Sequence, residues 1–108
     1  MAITEVDEKS IQIIKGCIDG DRRAQKKLYT VYYAMALGVC LRYANNREDA
    51  IGILNEGFFK VFKNIHTYND QNPFSVWIKK IMTNTAIDFY RAKIRQGIQV
   101  DIAMYEET

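Results

Sequence analysis

The sequence predicts an all-α fold, a compact bundle of about four helices joined by short loops. Apolar residues recur at intervals of three and four along most of the chain, which is the period of an amphipathic helix. The 108 residues include one proline and six glycines, too few for the many turns of an all-β fold. A chain of this length forms one domain with a modest core.

The first predicted helix runs from about Glu8 to Asp19 and follows a flexible N-terminus, residues 1–10, whose first eight residues we expect to be frayed. Gly20 ends this helix, because glycine readily adopts the left-handed conformation of a C-terminal cap. Its predicted core residues lie on one side: Ile11, Ile14, Cys17 and Ile18.

The second predicted helix runs from Arg22 to Ala44, with Asp21 as its N-cap. Its predicted buried stripe comprises Leu28, Tyr32, Met35, Ala36, Val39, Cys40 and Tyr43. The first turns carry four cations, which oppose the helix dipole at a cost of about a few tenths of a kcal/mol each. These cations are Arg22, Arg23, Lys26 and Lys27. Either a functional role or chance accounts for their position.

The third predicted helix follows Asn45 and Asn46 and runs to about His66. Asn46 suits the N-cap, and Glu48 and Asp49 suit the first turn, near the positive end of the helix dipole. The predicted inward residues are Ile51, Leu54, Phe58, Val61, Phe62 and Ile65.

Two further features of the third helix indicate close contacts. Gly52 and Gly57 are unusual inside a helix, and they permit close approach of either a neighbouring helix or a partner. Phe59 falls outside the inward stripe, and its neighbours there are polar: Asn55, Glu56, Lys60 and Lys63. An aromatic residue in this position is either a contact residue or a partly covered rim residue.

The fourth predicted helix begins near Asn72 and Pro73 and runs to Gln96. Asn72 suits its N-cap, and Pro73 suits its first turn, where a missing N–H costs nothing. The predicted apolar stripe comprises Phe74, Trp77, Ile78, Ile81, Thr85 and Phe89. The other side carries bases and small polar groups: Lys79, Lys80, Thr83, Asn84, Arg91, Lys93 and Arg95. This helix therefore offers a core face and a basic face whose polar side chains can bond to bases.

A short polar loop precedes the fourth helix and begins with an aromatic ring: Tyr68, Asn69, Asp70, Gln71 and Asn72. A ring and amides beside a basic helix are typical of surfaces that bind single-stranded nucleic acid. The chain has 15 basic and 13 acidic residues, and its two ends, 1–10 and 101–108, hold one base and six acids. The remainder therefore has 14 bases and 7 acids, a net charge of +7. This charge permits a polyanion partner, although a solvated lysine face would look the same.

Other classes of function have little support. Cys17 and Cys40 sit alone within helical patterns as small buried residues, and the one histidine is His66, so we expect no metal and no cofactor. No histidine is paired with a nucleophile and no glycine-rich phosphate loop is present, so we expect no enzyme. The acidic N-terminus is no signal peptide and no apolar run reaches 18 residues, so we expect a cytoplasmic protein without a membrane span.

Three segments in order resemble the second conserved region of bacterial RNA polymerase sigma factors, and most of all the extracytoplasmic-function (ECF) class. The first is Gly20-Asp21 followed by Ala24, Leu28 and Tyr29. The second is Asp49-Ala50 with Asn55-Glu56-x-Phe58, which resembles the family's Asp-Ala-Glu-Asp-Leu-x-Gln-Glu-x-Phe. The third is Phe74-x-x-Trp77-Ile78-x-x-Ile81 with Asn84-x-Ala86-x-Asp88, which resembles Phe-x-x-Trp-Leu-x-x-Ile-Ala-x-Asn.

The resemblance implies a region 2 helical domain over residues 11–96, followed by the start of an interdomain linker or tail, residues 97–108. It implies that the third helix docks on the clamp helices of the RNA polymerase largest subunit. Asn55 and Glu56 occupy the positions of the family's contact pair. The full predicted polymerase-binding set is Asp49, Gly52, Asn55, Glu56, Phe59, Lys60 and Lys63. Ile51 and Gly52 replace two acids that the family has on this surface.

The resemblance also implies that the loop before the fourth helix captures a flipped base of the promoter minus-ten element. The predicted loop contacts are Tyr68, Asn69, Asp70 and Asn72. The helix residues implied to line the strand are Lys79, Lys80, Thr83 and Asn84, and those implied to hold phosphates are Arg91, Lys93 and Arg95. An anti-sigma factor is a further implied partner, and we expect a monomer.

Two other expectations concern the whole protein. Such sigma factors also carry a C-terminal helix-turn-helix domain, which these residues do not encode, so we expect an excised domain or a short paralogue. The alternative function is a helical protein-interaction module that docks through the third helix without touching DNA. The loss of two acids at Ile51 and Gly52 favours this alternative slightly, whereas the basic fourth helix disfavours it.

Overall fold

The computed structural model describes residues 2–69 and 71–97, with side chains from Ser10 onward. These residues form four α-helices: α1 (Ala2–Ile18), α2 (Arg22–Tyr43), α3 (Arg47–Asn64) and α4 (Phe74–Arg95). A short 3₁₀ turn, Ile65–Thr67, follows α3. The described residues contain no β-strand, so the predicted all-α class with four helices is confirmed.

The first helix differs most from its prediction. It begins at Ala2, whereas we expected helix from about Glu8 after frayed residues. Ile11 and Ile18 are 42% and 50% exposed, so two of the four predicted core residues are wrong. The buried apolar residues of α1 are Ile13, Ile14 and Cys17. α1 packs mainly on α2, so a narrow stripe is enough to cover that contact.

The helix ends mostly follow the predicted chemistry. The side chains of Asp21 and Asn46 cap α2 and α3, accepting from the backbone N–H groups of Arg23 at 2.9 Å and Asp49 at 2.7 Å. Gly20 and Gly97 both have φ of +80°, which places them in the left-handed region where a helix is terminated.

The boundaries around the loop before α4 were predicted less well. α3 ends at Asn64, two residues before His66, because the chain tightens into the 3₁₀ turn. Pro73, and not Asn72, is the N-cap of α4, and no side chain caps this end. Backbone N–H groups of Val76 and Trp77 donate to the Pro73 carbonyl at 3.0 and 3.2 Å.

Three helices bury residues in rows spaced by four. The rows are Leu28, Tyr32, Ala36 and Cys40 on α2; Ala50, Leu54 and Phe58 with Ile53, Gly57 and Val61 on α3, continued by Ile65 in the 3₁₀ turn; and Phe74, Ile78, Met82, Ala86 and Tyr90 on α4. Such rows form the ridges that interdigitate in the commonest class of helix packing in globular proteins.

These rows explain which core predictions failed. Residues spaced by four do not lie directly above one another on a helix of 3.6 residues per turn, so the row drifts slowly round the helix. A predicted stripe that runs parallel to the helix axis therefore coincides with the buried row at one end only. On α4 the prediction included Trp77, Ile81 and Phe89, which are half-buried, and omitted Met82 and Tyr90, which are fully buried. On α2, the fully buried residues all belong to the predicted stripe, but Met35, Val39 and Tyr43 are half-buried.

Glycines permit two close helix contacts. A Cβ atom on Gly57 would overlap the Sδ atom of Met82, so this glycine lets α3 approach α4. A Cβ atom on Gly16 would overlap the Cβ atom of Ala24, so Gly16 does the same for α1 and α2. A neighbouring helix, rather than a partner, therefore accounts for Gly57.

The remaining structural predictions concern cysteines and membranes. Cys17 and Cys40 are buried free thiols, as predicted. Burial raises the pKa of each to about 11, and the nearby charge of Asp21 adds to the shift at Cys17. Among the described residues, no group of three potential ligands could hold a metal ion. No helix in that same part of the chain is long and apolar enough to cross a membrane.

Candidate nucleic-acid and polymerase interfaces

The loop before α4 is held in place by the ring of Tyr68. The centroid of this ring lies 5.0 Å from that of Phe74 and 5.6 Å from that of Trp77. The Tyr68 hydroxyl donates to the backbone carbonyl of Asn72, which closes the loop. Part of the Tyr68 surface is therefore already covered by aromatic packing, and the loop is fixed by the core beneath it. Asp70 lies outside the described residues.

An open cleft of about 230 Å³ lies between this loop and α1. Its lining combines aliphatic side chains, a ring, an amide and an ammonium group: Ile11, Ile14, Lys15, Tyr68 and Asn69. The Asn69 side-chain oxygen accepts from the backbone N–H of Gln71 at 3.2 Å, which orients the amide. We call this the Tyr68 cleft. Apolar walls beside one cation and one amide are chemically suited to a nucleobase with its phosphate.

The sequence did not reveal that α1 contributes to this cleft. Ile11 was predicted to be in the core, and Lys15 was not considered as a contact. The one available signal was that they lie four residues apart and so share a side of α1. Their proximity to Tyr68 depends on the packing of α1 against the 3₁₀ turn, which no local pattern shows.

The outward side of α4 carries a continuous polar row. Lys80, Asn84, Arg91 and Arg95 are spaced by four, seven and four residues, so they stay on one side of the helix. All four are exposed, and so is Lys79, whereas Thr83 is half-buried. The row extends about 22 Å along the helix axis, from the rise of 1.5 Å per residue. We call it the α4 row, and it begins about two turns after the Tyr68 loop.

Lys93 lies apart from the α4 row. Its ammonium group is 3.2 Å from Oδ1 of Asp49 and 4.9 Å from the ring centroid of Phe89. Asp49 also accepts from the Tyr90 hydroxyl at 2.8 Å, and its side chain is only 13% exposed. These two predicted contact residues thus bind each other and join the start of α3 to the end of α4. Their roles toward DNA and polymerase stay predictions.

The exposed side of α3 brings the other predicted polymerase-binding residues together. Gly52, Asn55, Glu56, Phe59 and Lys63 are spaced by one to four residues and lie on one side of the helix. Phe59 is 65% exposed, and the Lys63 ammonium lies 6.0 Å from its ring centroid. We call this surface the α3 face.

One ion pair links the two surfaces. The Lys60 ammonium is 3.7 Å from a carboxylate oxygen of Asp88, which lies on α4 beside the α4 row. The α3 face and the α4 row are therefore neighbours on the molecule, and α3 packs directly on α4. Asp88 is the acid that most directly reduces the positive charge of the α4 row.

The sequence that forms α2 to α4 matches a known protein family. The sequence model of the Sigma-70 region 2 family matches residues 28–96, which run from the first buried residue of α2 past the end of α4. The match covers more than half of the chain. The chain therefore belongs to the Sigma-70 region 2 family.

Among its curated relatives are sigma factors, two of which are named as ECF factors. The chain is 31% identical over 80 residues to the ECF RNA polymerase sigma factor SigW of Bacillus subtilis, covering 74% of this chain and 43% of the relative. It is 29% identical over 83 residues to the ECF RNA polymerase sigma-E factor of Haemophilus influenzae, covering 77% and 43%. It is 25% identical over 95 residues to the RNA polymerase sigma-H factor of Pseudomonas aeruginosa, covering 88% and 49%. The chain thus spans less than half the length of each of these relatives.

Proposed function

We propose that this domain acts in transcription initiation, with the α3 face on RNA polymerase and the Tyr68 cleft and α4 row on single-stranded promoter DNA. The observation that carries the proposal is the pair of dissimilar exposed surfaces on adjacent helices. One presents an exposed phenylalanine among polar groups, and the other presents three cations and an asparagine in a row. Relatives that are RNA polymerase sigma factors support polymerase as the partner of the first surface.

On the DNA side, the domain captures the non-template strand of the minus-ten element. A base enters the Tyr68 cleft, where Ile11 and Ile14 supply apolar contacts and Asn69 meets a base edge. Lys15 neutralises a phosphate beside it. The strand then follows the α4 row, where Asn84 contacts a base and the cations contact phosphates.

The energetics of this capture require help from the polymerase. Stacking a base on a protein ring contributes roughly 1–3 kcal/mol, which is similar to the cost of opening a base step. One cleft therefore does not open a promoter. Each phosphate contact to a single strand adds about −0.7 to the slope of the logarithm of the binding constant against the logarithm of salt concentration. The isolated domain binds single strands weakly and with strong salt dependence.

On the protein side, Phe59 is the anchor of the α3 face and Asn55 and Glu56 surround it. A few residues near the centre of an interface, often aromatic, commonly carry most of its binding energy. The clamp helices of the polymerase largest subunit, a coiled coil, are the proposed partner. Gly52, where the family has an acid, backs onto the Phe89 ring, since a Cβ there would lie 3.5 Å from it. The departure at this position therefore accompanies a local packing contact between α3 and α4.

The DNA side is tested by fluorescence anisotropy with a labelled single strand carrying a minus-ten sequence. We expect Asn84→Ala to weaken binding about three- to tenfold, the loss of about one hydrogen bond. Tyr68→Ala should weaken it further, with helix content checked by circular dichroism. The matched control is Asn55→Ala, an exposed asparagine on α3 that should leave DNA affinity unchanged. Wild-type affinity in both Asn84→Ala and Tyr68→Ala would rule out base capture here.

The polymerase side is tested with the same variants and a clamp coiled-coil fragment. Phe59→Ala and Asn55→Ala should weaken that binding, and Asn84→Ala should not. The exposure of Phe59 also suits the alternative function, a protein-interaction module without DNA binding. That alternative would be preferred if the clamp fragment bound through Phe59 while no single strand bound at low salt.

A further inference from the structure

A second open cleft, of about 340 Å³, lies on the other side of α1 from the Tyr68 cleft. It is formed where α1 meets the first turns of α2, and its lining residues are Gln12, Ile13, Asp21, Arg23, Ala24 and Lys27. Ile13 is buried and Ala24 half-buried, so they form an apolar floor. Gln12, Arg23 and Lys27 are exposed and form a polar rim. We call this the Arg23 cleft.

Among the described side chains, the cations at the Arg23 cleft have no ion-pair partner, and Asp21 is the one acid in its lining. Arg22 and Lys26 stand beside Arg23 and Lys27 on α2, and the first turn of this helix contains no acid. Two ion pairs occur among the described side chains, Lys60–Asp88 and Lys93–Asp49, and neither involves these four cations. The carboxylate of Asp21 accepts from the backbone N–H of Arg23 as the helix cap. Four cations here oppose the helix dipole, so an anionic ligand would relieve an existing electrostatic cost.

The two clefts flank the same two turns of α1. Ile11, Ile14 and Lys15 line the Tyr68 cleft, and Gln12 and Ile13 line the Arg23 cleft. Gln12 and Lys15 are three residues apart, so they are neighbours on the outer side of α1, between the clefts. A flexible strand that leaves the Tyr68 cleft beside Lys15 can cross α1 there and reach Arg23. The contact of Gly16 with Ala24 fixes the spacing of the two helices at this crossing.

We propose that the Arg23 cleft is a second nucleotide subsite for the same single strand. Arg23 and Lys27 hold a phosphate, the floor of Ile13 and Ala24 receives a base, and the Gln12 amide contacts its edge. Arginine suits this task because its guanidinium can bind a phosphate with two parallel hydrogen bonds. The inference rests on the proposed function, because the strand reaches this subsite from the Tyr68 cleft.

The test compares strands of different length on the full chain. A short strand of about five nucleotides is long enough for the Tyr68 cleft and the start of the α4 row. Two longer strands extend it by about four nucleotides at either the 5′ or the 3′ end. We expect one of the two to bind the wild type more tightly than the short strand. The variant Arg23→Gln/Lys27→Gln should lose about tenfold in affinity for that strand and nothing for the short one. Because one phosphate contact is lost, the slope of log K against log salt should become shallower by about 0.7 for that strand.

The matched control removes two other exposed arginines, Arg42→Gln/Arg47→Gln. Arg42 is about 22 Å along α2 from Lys27, the nearer test residue, which is beyond the screening length of about 8 Å at physiological salt. The control should bind all strands like the wild type. The Asp21 cap survives in the test variant because it bonds the backbone of residue 23, and circular dichroism checks the fold.

Three results would overturn the proposal. If the test variant and the wild type bind both long strands equally, the Arg23 cleft holds no nucleotide, while an effect of Asn84→Ala would leave the proposed function intact. If no strand binds at all, both ideas fail together. If the test variant loses binding to vesicles containing phosphatidylserine but keeps its affinity for both long strands, the cations serve a lipid surface instead.

Discussion

Asp49 is a mostly buried carboxylate whose hydrogen-bond partners belong to the same domain. It lies in the first turn of α3 and binds the Tyr90 hydroxyl and the Lys93 ammonium. The sequence placed it correctly in a first turn, where an acid complements the helix dipole. It did not show the two partners, which are 41 and 44 residues away, because a local pattern carries no information on tertiary neighbours.

Replacing Asp49 should therefore destabilise the domain, in addition to any effect on polymerase binding. We expect Asp49→Ala to lower the free energy of unfolding by about 1–3 kcal/mol, because it leaves Tyr90 and Lys93 without their carboxylate. Urea denaturation followed by circular dichroism measures this. Glu56→Ala, an exposed acid on the same helix, is the control and should change stability by less than about 0.5 kcal/mol. Equal effects would mean that the Asp49 contacts contribute nothing.

The two buried thiols should respond to pH in a defined direction. With pKa values of about 11 for Cys17 and Cys40, the folded thiols stay protonated at pH 9–11 while unfolded thiols ionise. The unfolded state then binds fewer protons, so the free energy of unfolding falls as pH rises through this window. Comparing urea curves at pH 8 and pH 10 for the wild type and Cys17→Ala/Cys40→Ala isolates the contribution.

Reactivity gives an independent check of the same thiols. At pH 8, iodoacetamide should modify the folded protein slowly and the urea-unfolded protein rapidly, because thiolate is the reactive form. Rapid modification of the folded chain would show that the thiols are accessible and their pKa values ordinary.

At the scale of helices, the type of each element and the ends marked by capping residues were predictable, whereas the start of α1, the end of α3 and part of the buried side of α4 were not. Asp21, Asn46, Gly20 and Gly97 mark the ends by local chemistry, which a sequence displays directly. The buried rows spaced by four depend on how the helices cross, and so the fully buried Met82 was missed. The polar side of α4 was predicted better than its core, since exposed residues need no partner to be identified.

The space around three helical glycines gives a ranked prediction of stability. Gly52→Ala should be neutral or stabilising, up to about 1 kcal/mol, because a Cβ fits against Phe89 and alanine favours helix. Gly57→Ala should destabilise, because buried Met82 must move. Gly16→Ala should cost most, about 1–3 kcal/mol, because Ala24 has no flexible side chain to yield. Urea midpoints measure the order, and a stabilised Gly16→Ala protein would contradict the described packing of α1 on α2.

The α4 row makes a further prediction about charge. Asp88→Asn should raise affinity for single-stranded DNA a few-fold at low salt, because it removes the acid beside the row and releases Lys60. The gain should disappear at high salt, as expected for screened surface charges. Stability should change little, because the Lys60–Asp88 pair is exposed. Anisotropy titrations at two salt concentrations measure this change in affinity. A loss of affinity in Asp88→Asn would show that Asp88 itself contacts the strand.

For the molecule as a whole, the candidate surfaces were predicted in part. The α3 face and most of the α4 row follow from helical spacing and charge, and family resemblance supplied their proposed roles. The contribution of α1 to both clefts could not be predicted, because Lys15 and Tyr68 are far apart in sequence. Lys93 was assigned to the DNA side, yet its charge is already paired with Asp49.

The architecture explains how one small domain could serve two partners at once. α3 and α4 pack on each other with their buried rows, which leaves the outward side of each helix available. The basic excess of residues 11–100 favours a polyanion on the α4 side, and Phe59 favours a protein on the α3 side. Because the same core positions both surfaces, binding of one partner should leave the geometry of the other surface unchanged.

The most direct test of this division is a titration of the isotope-labelled chain with a minus-ten single strand, followed by the amide resonances in a ¹H–¹⁵N spectrum. We predict shifts in residues 66–72 and in the α4 row around Asn84, with the resonances from Gly52 to Lys63 unmoved. Shifts confined to the α3 face, or none at low salt, would contradict the account.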